Sequence, residues 1–220
     1  MPKRPWFLLA PALLLLPPAG AFFGGWAIVT VEQVPEYVAA GEPVTLRFVV
    51  RQHGVEPMKG LRPTIEARAG GKTARAAAEP GRSTGHYVAT LSLPEPGSWT
   101  LTIHSGFGTS QLTLLPIPAI RPGTTAPSAL AESERGKQLF VAKGCLGCHV
   151  RNEVGLAGGE TIGPELTGKR YQAEYLRRFL TDPAANPTRT GTFRMPNLAL
   201  QPAEIGALVA FINGERTASR

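Results

Sequence analysis

The spacing of hydrophobic residues changes once along this 220-residue chain, and the change falls at a proline-rich stretch. Before it, apolar and polar residues alternate in short runs at 26–31, 44–50, 86–93, 99–104 and 111–115. A weaker pair, 63–69 and 72–77, flanks Gly70-Gly71 as a hairpin would. A period of two sends successive side chains to opposite faces, the mark of a strand buried on one side. Turn residues punctuate the runs, among them Gly41, Gly54, Gly60, Gly81, Pro94-Glu95-Pro96-Gly97 and Gly106. Short strands at such regular intervals predict an antiparallel β-sandwich over residues 22–116. Residues 117–131 contain Pro118, Pro122 and Pro127, which favour an extended linker between two semi-independent bodies. From 132 the period becomes helical. Ser133 is a candidate N-cap for a helix carrying Leu139, Phe140 and Val141 up to Gly144. Residues 171–180 set Tyr175, Leu176, Phe179 and Leu180 against Arg177 and Arg178, and 202–213 form a third helix opened by Pro202. The expected fold is therefore multidomain, an all-β unit followed by an all-α unit over 132–220.

The N-terminus states a destination. Lys3 and Arg4 precede an apolar stretch from Trp6 to Leu16, Pro17-Pro18 breaks it, and Ala19-Gly20-Ala21 offers small residues for cleavage. That order reads as a signal peptide over residues 1–21. An uncleaved N-terminal anchor needs about twenty apolar residues, reached here only by absorbing three prolines and several glycines. Either way the domains are expected outside the cytoplasm, periplasmic or otherwise extracytoplasmic, with membrane association through the N-terminus as the alternative. The net charge of +7 is spread evenly, 11 Lys+Arg against 7 Asp+Glu up to residue 131 and 12 against 9 after it. With no polybasic run, nucleic acid is excluded as a partner class. A mild positive charge instead suits an acidic redox partner or an anionic membrane surface.

Chemistry concentrates at Cys145-Leu146-Gly147-Cys148-His149, which holds both cysteines of the chain. On a helical turn, side chains three and four residues apart face one way, so Cys145, Cys148 and His149 converge. A zinc site would need two more ligands, and no further cysteine exists. A thioredoxin-like redox pair would need a βαβ setting, which does not surround this motif. The spacing instead suits covalent attachment of one haem c, both thiols adding to its vinyl groups and His149 serving as an axial ligand. With both cysteines so engaged, no structural disulfide is available.

Residues 132–215 resemble the single-haem class I cytochrome c family. The resemblance rests on Gly136-Lys137-Gln138-Leu139-Phe140, on Gly144 with the haem motif, on Ile162-Gly163-Pro164-Glu165-Leu166-Thr167-Gly168, and on Arg194-Met195-Pro196-Asn197-Leu198. Leu176-Arg177-Arg178-Phe179-Leu180 and Leu208-Val209-Ala210-Phe211-Ile212 fall where that family's later helices fall. The second axial ligand is expected to be Met195, 46 residues after His149, because this half has no other histidine or cysteine. A His/Met pair raises the reduction potential relative to two nitrogen ligands. The resemblance further implies that the Pro164 carbonyl accepts a bond from His149 Nδ1 and that Leu166, Leu176, Phe179 and Leu198 line the haem pocket. Arg194, Arg189, Lys169 and Arg170 are candidates for the propionates. The glycine-rich stretch 151–161 reads as a surface loop.

Residues 87–103 resemble the last hairpin of immunoglobulin-like periplasmic domains, some of which act near copper handling and oxidase assembly. His53, Met58, His86 and His104 are copper-compatible side chains in this half, though their spacing fits no fixed site. The expected activity is electron transfer between redox partners, with two axial positions filled and no substrate transformed. The alternatives are a subunit of a larger membrane oxidoreductase, with the β-unit as docking or copper-handling module, and a peroxidase. The last would need an open iron position, which Met195 would occupy.

Overall fold

The computed structural model describes residues 25–155, 162–185 and 195–214. The expected signal segment lies outside them. Eleven strands precede three helices: β1 (Ala27–Val31), β2 (Val38–Ala39), β3 (Pro43–Gln52), β4 (Glu56–Pro57), β5 (Thr64–Ala69), β6 (Lys72–Ala77), β7 (Glu79–Pro80), β8 (His86–Ser92), β9 (Gly97–His104), β10 (Gln111–Thr113), β11 (Ile117–Ile120), then α1 (Glu132–Ala142), α2 (Ala173–Thr181) and α3 (Pro202–Ile212). All seven runs read from the alternation are strands. Of the four added strands, β2, β4 and β7 have two residues each, too few to show a period, and β11 has four.

Two sheets result. One has the order β1-β3-β8-β7 with β4 on β3, and the other β2-β11-β9-β5-β6 with β10 on β9. The hairpin expected at Gly70-Gly71 closes with Ala69 opposite Lys72, and both glycines have positive φ, which costs a residue without Cβ little. The alternating inner residues meet in one core: Phe48 and Tyr87 from the first sheet, Ile65, Trp99, Leu101 and Ile103 from the second. Each such side chain stabilises the fold by roughly 1.5–3 kcal/mol relative to exposure. The polar tips are satisfied, Tyr87 donating to the Met58 carbonyl at 2.8 Å and Trp99 to that of Glu95 at 3.0 Å.

Three expectations need correction here. The linker does not begin at 117, because Ile117–Ile120 is a strand held between β2 and β9. Ile117 and Ala119 alternate into the core, a pattern masked by the neighbouring prolines. Ser133 does not cap α1, which begins at Glu132 with no side-chain cap; Glu132 and Glu134 supply acidic charge to the first turn instead, where the helix dipole favours it. The two halves are not semi-independent either. Val141 and Ala142 of α1 belong to the β core, with Leu146 and Val154 packed against it.

The helical half closes on itself by the crossing of α1 and α3. Gly136 permits it, since a Cβ there would run into the Ala207 carbonyl, and Phe140 meets Phe211 edge to face at 5.5 Å. Gln201 and Glu204 form a capping box at the start of α3, with Pro202 in its first turn.

Candidate haem site

α1 ends at Ala142 with Lys143 as its C-cap, and Gly144, with φ of 77°, turns the chain into the motif. Cys145–Gly147 then form a single 3-10 turn, and the amides of Cys148 and His149 donate to the Cys145 carbonyl at 3.1 and 2.8 Å. This tight turn gathers the two thiols and the imidazole as the spacing predicts. The loop that follows is zipped to the motif. Gly163 N donates to Cys148 O at 2.8 Å and Leu166 N to Val150 O at 2.9 Å. His149 Nδ1 lies 2.9 Å from the Pro164 carbonyl. A carbonyl can only accept, so Nδ1 carries the proton and the lone pair of the neutral ring is on Nε2. Gly163 fits beneath the ring, where an added Cβ would come within 2.5 Å of His149 Cε1.

Met195 reaches the same place from the loop before α3. Two adjoining chambers meet there and share Cys145, His149, Met195 and Leu198. The inner chamber is walled by Phe140, Leu166, Leu176, Phe179, Leu180 and Leu208 among others. The outer one adds Cys148, Gly163 and Pro196. Cofactor clefts have mostly apolar walls and a few placed polar groups. The residues fit a haem: two thiols, an oriented imidazole and a thioether line one apolar cleft. Burial pushes the Cys145 thiol up to about 12, with Cys148 beside it adding to the effect, and burial raises Cys148 as well. A thiol–disulfide catalyst needs the opposite, a thiol lowered toward neutrality.

All four of Leu166, Leu176, Phe179 and Leu198 line the chambers as the resemblance implies. Lys169 and Arg170 are exposed, while Arg189 and Arg194 lie outside the described residues. Most of the glycine-rich stretch also lies outside them, but its first residue is no surface group. Arg151 is buried and donates to the carbonyls of Leu166 (2.9 Å), Phe211 (2.9 Å) and Ile212 (2.8 Å). It thereby ties the loop after His149 to the C-terminus of α3, where a cation is favoured. The sequence carries no signal for this beyond an arginine two residues past the motif.

The copper-compatible residues do not converge. His53 sits in the turn between β3 and β4, His86 bonds Glu32 at 2.9 Å, His104 ends β9, and Met58 packs against the β core. Among the described residues no three His, Cys, Asp or Glu side chains form a metal-holding group.

Residues 133–214 match the family model for cytochrome c. No curated protein matches the chain. Solved structures similar to part of it include S-layer protein SbsC domains 4 and 5, at 20% identity and TM-score 0.32, covering 42% of this chain and 50% of that one. SbsC domains 1–6 match at 21% identity and TM-score 0.33, covering 44% and 13%. A superoxide reductase (neelaredoxin) from Ignicoccus hospitalis matches at 20% and 0.29, covering 42% and 80%. The chain thus spans half or less of the SbsC chains it matches. Behind a β-rich N-terminal region, the match of residues 133–214 to the cytochrome c family model implies covalently bound haem c and supports a haem-binding electron carrier.

Proposed function

We propose that the protein is an extracytoplasmic class I cytochrome that passes single electrons between redox partners. Cys145 and Cys148 would hold the haem through thioethers, and His149 and Met195 would bind its iron. The observation that carries this reading is the convergence of Cys145, His149 and Met195 on both chambers of one apolar cleft. The haem supplies a one-electron couple; the chain supplies everything that keeps its geometry constant. Pro164 fixes the tautomer and ring plane of His149 through the 2.9 Å bond. Gly163 lets the loop lie against the ring. Leu166, Leu176, Phe179 and Leu198 exclude water from the ligands. With both axial positions taken, no site remains for a substrate to bind the metal, and the partner contact is expected to be small and short-lived.

The β-rich region is read as an immunoglobulin-like sandwich. Two antiparallel-dominated sheets around one core, with Trp99 buried between them, support that assignment. Residues 1–21 are read as the signal that directs the chain to the periplasm. Carbon monoxide binding to the ferrous full-length protein tests the closed site. The wild type is expected to leave the gas unbound on the mixing timescale, and Met195→Ala to bind it at once. Equal, rapid binding by both proteins would remove Met195 from the site.

A further inference from the structure

The outer chamber has a wall that no residue of the cytochrome domain supplies. Trp26 and the β1 residues Ile28 and Thr30 line it together with His53 and Gly54 of the β3–β4 turn, opposite Cys148, His149 and Met195. Contact across the seam is direct. A Cβ on Gly144 would come within 2.5 Å of Ile28 Cγ2, and one on Gly147 within 2.7 Å of Ile28 Cδ1. Ile28 therefore rests on bare backbone of the haem motif.

The wall is also held in place. His53 N donates to Trp26 O at 2.9 Å, and the two rings meet edge to face at 5.7 Å. His53 adopts φ 50°, a left-handed conformation that is unfavourable for a non-glycine residue and persists where surroundings impose it. Behind the wall, Thr30 Oγ1 donates to Lys143 O at 3.3 Å, and Arg51 donates to Thr30 Oγ1 at 3.2 Å. Lys143 Nζ reaches back to Glu32 O at 2.7 Å. These bonds clamp β1 to the end of α1, directly before Cys145.

We propose that the half-buried Trp26 and Ile28, braced by the exposed His53, form the outer wall of the haem site, acting as positioning residues that limit the access of water to the Cys148 side of the cleft. Loss of an electron would add positive charge there, and a less hydrated site disfavours added charge. The wall therefore holds the reduction potential up and slows small aqueous reductants. The inference rests on the reading of the cleft as a His149/Met195 haem site.

The test uses the full-length protein with haem attached. The double variant Trp26→Ala/His53→Gly removes both rings, and His53→Gly alone removes one while relieving the left-handed backbone, so the fold is retained. Potentiometric titration is expected to move the ferric-to-ferrous ratio at the wild-type midpoint from 1:1 to about 3:1 or beyond in the double variant, about 30 mV at 59 mV per tenfold for one electron. His53→Gly should show part of that change, dithionite should reduce both variants faster than wild type, and Trp26→Phe should restore the wild-type ratio. Unchanged ratios and rates in both ring-removing variants would overturn the wall. The near-infrared thioether–iron band of the ferric protein separates the two readings: its absence from wild type defeats the ligation, whereas its retention beside an unchanged potential defeats the wall alone.

Discussion

Lys143 joins the two halves through both its side chain and its backbone. Its side chain is 4% exposed and lies 2.8 Å from Glu204, itself 11% exposed. The same ammonium donates to Glu32 O, and the Lys143 carbonyl accepts from Thr30. One residue therefore holds the segment after β1, the end of α1 and the first turn of α3. Removing one partner of a buried ion pair leaves an uncompensated charge, which costs about 3–5 kcal/mol. Lys143→Met is expected to lose stability in that range, read as a lower urea midpoint by far-UV circular dichroism; an unchanged midpoint would show that the pair holds nothing. Nothing about Lys143 stands out in the sequence, because a lysine two residues before a motif resembles any surface lysine. Cys145, Cys148 and His149 were legible because their chemistry demands their spacing. Met195, which lines the cleft, could be singled out because so few side chains in this half are able to bind iron. Trp26 and His53 could not, since their part in the cleft depends on a fold contact across more than ninety residues of chain.

At the scale of elements, the crossing of α1 and α3 sets the back of the cleft. Phe140 and Leu208 line the inner chamber from these two helices, so their separation fixes its width. Gly136 sits at the closest approach, and the atom that a Cβ would meet is the Ala207 backbone carbonyl. A flexible side chain would yield to that contact and a carbonyl in a helix does not. Overpacking costs about 1–3 kcal/mol, so Gly136→Ala is expected at the upper end. For a chain of this size that lowers Tm by about 6–12 °C, read by differential scanning calorimetry; a Tm within a degree of wild type would place the helices further apart. Long periodic segments announced themselves well in the sequence: α3 begins at Pro202 as expected and α2 within two residues of its expected start. β11 escaped because Pro118 and Pro122 imitate a linker, although its alternation of Ile117 and Ala119 is intact. The 3-10 turn at Cys145–Gly147 is tighter than the helical turn that the spacing suggests, and Gly144 and Gly147 have no Cβ because Ile28 occupies that space.

At the scale of the molecule, the β-rich region contributes Trp26, Ile28, Thr30, His53 and Gly54 to the lining of the candidate haem cleft. Its core continues into α1 through Val141 and Ala142, and its first strand faces the motif. Hydrophobic patterning alone cannot reveal this, because a residue buried between two units looks the same as one buried within either. The two-unit division was legible, whereas the shared core and the common wall were not. The proposed function and the wall beyond the motif both require His149 and Met195 to face each other across one haem. The most direct measurement is the near-infrared spectrum of the ferric full-length protein beside that of Met195→Ala. The predicted result is a thioether–iron charge-transfer band in the wild type that is lost in the variant. A wild-type spectrum without that band, or a band that survives the substitution, would contradict the account.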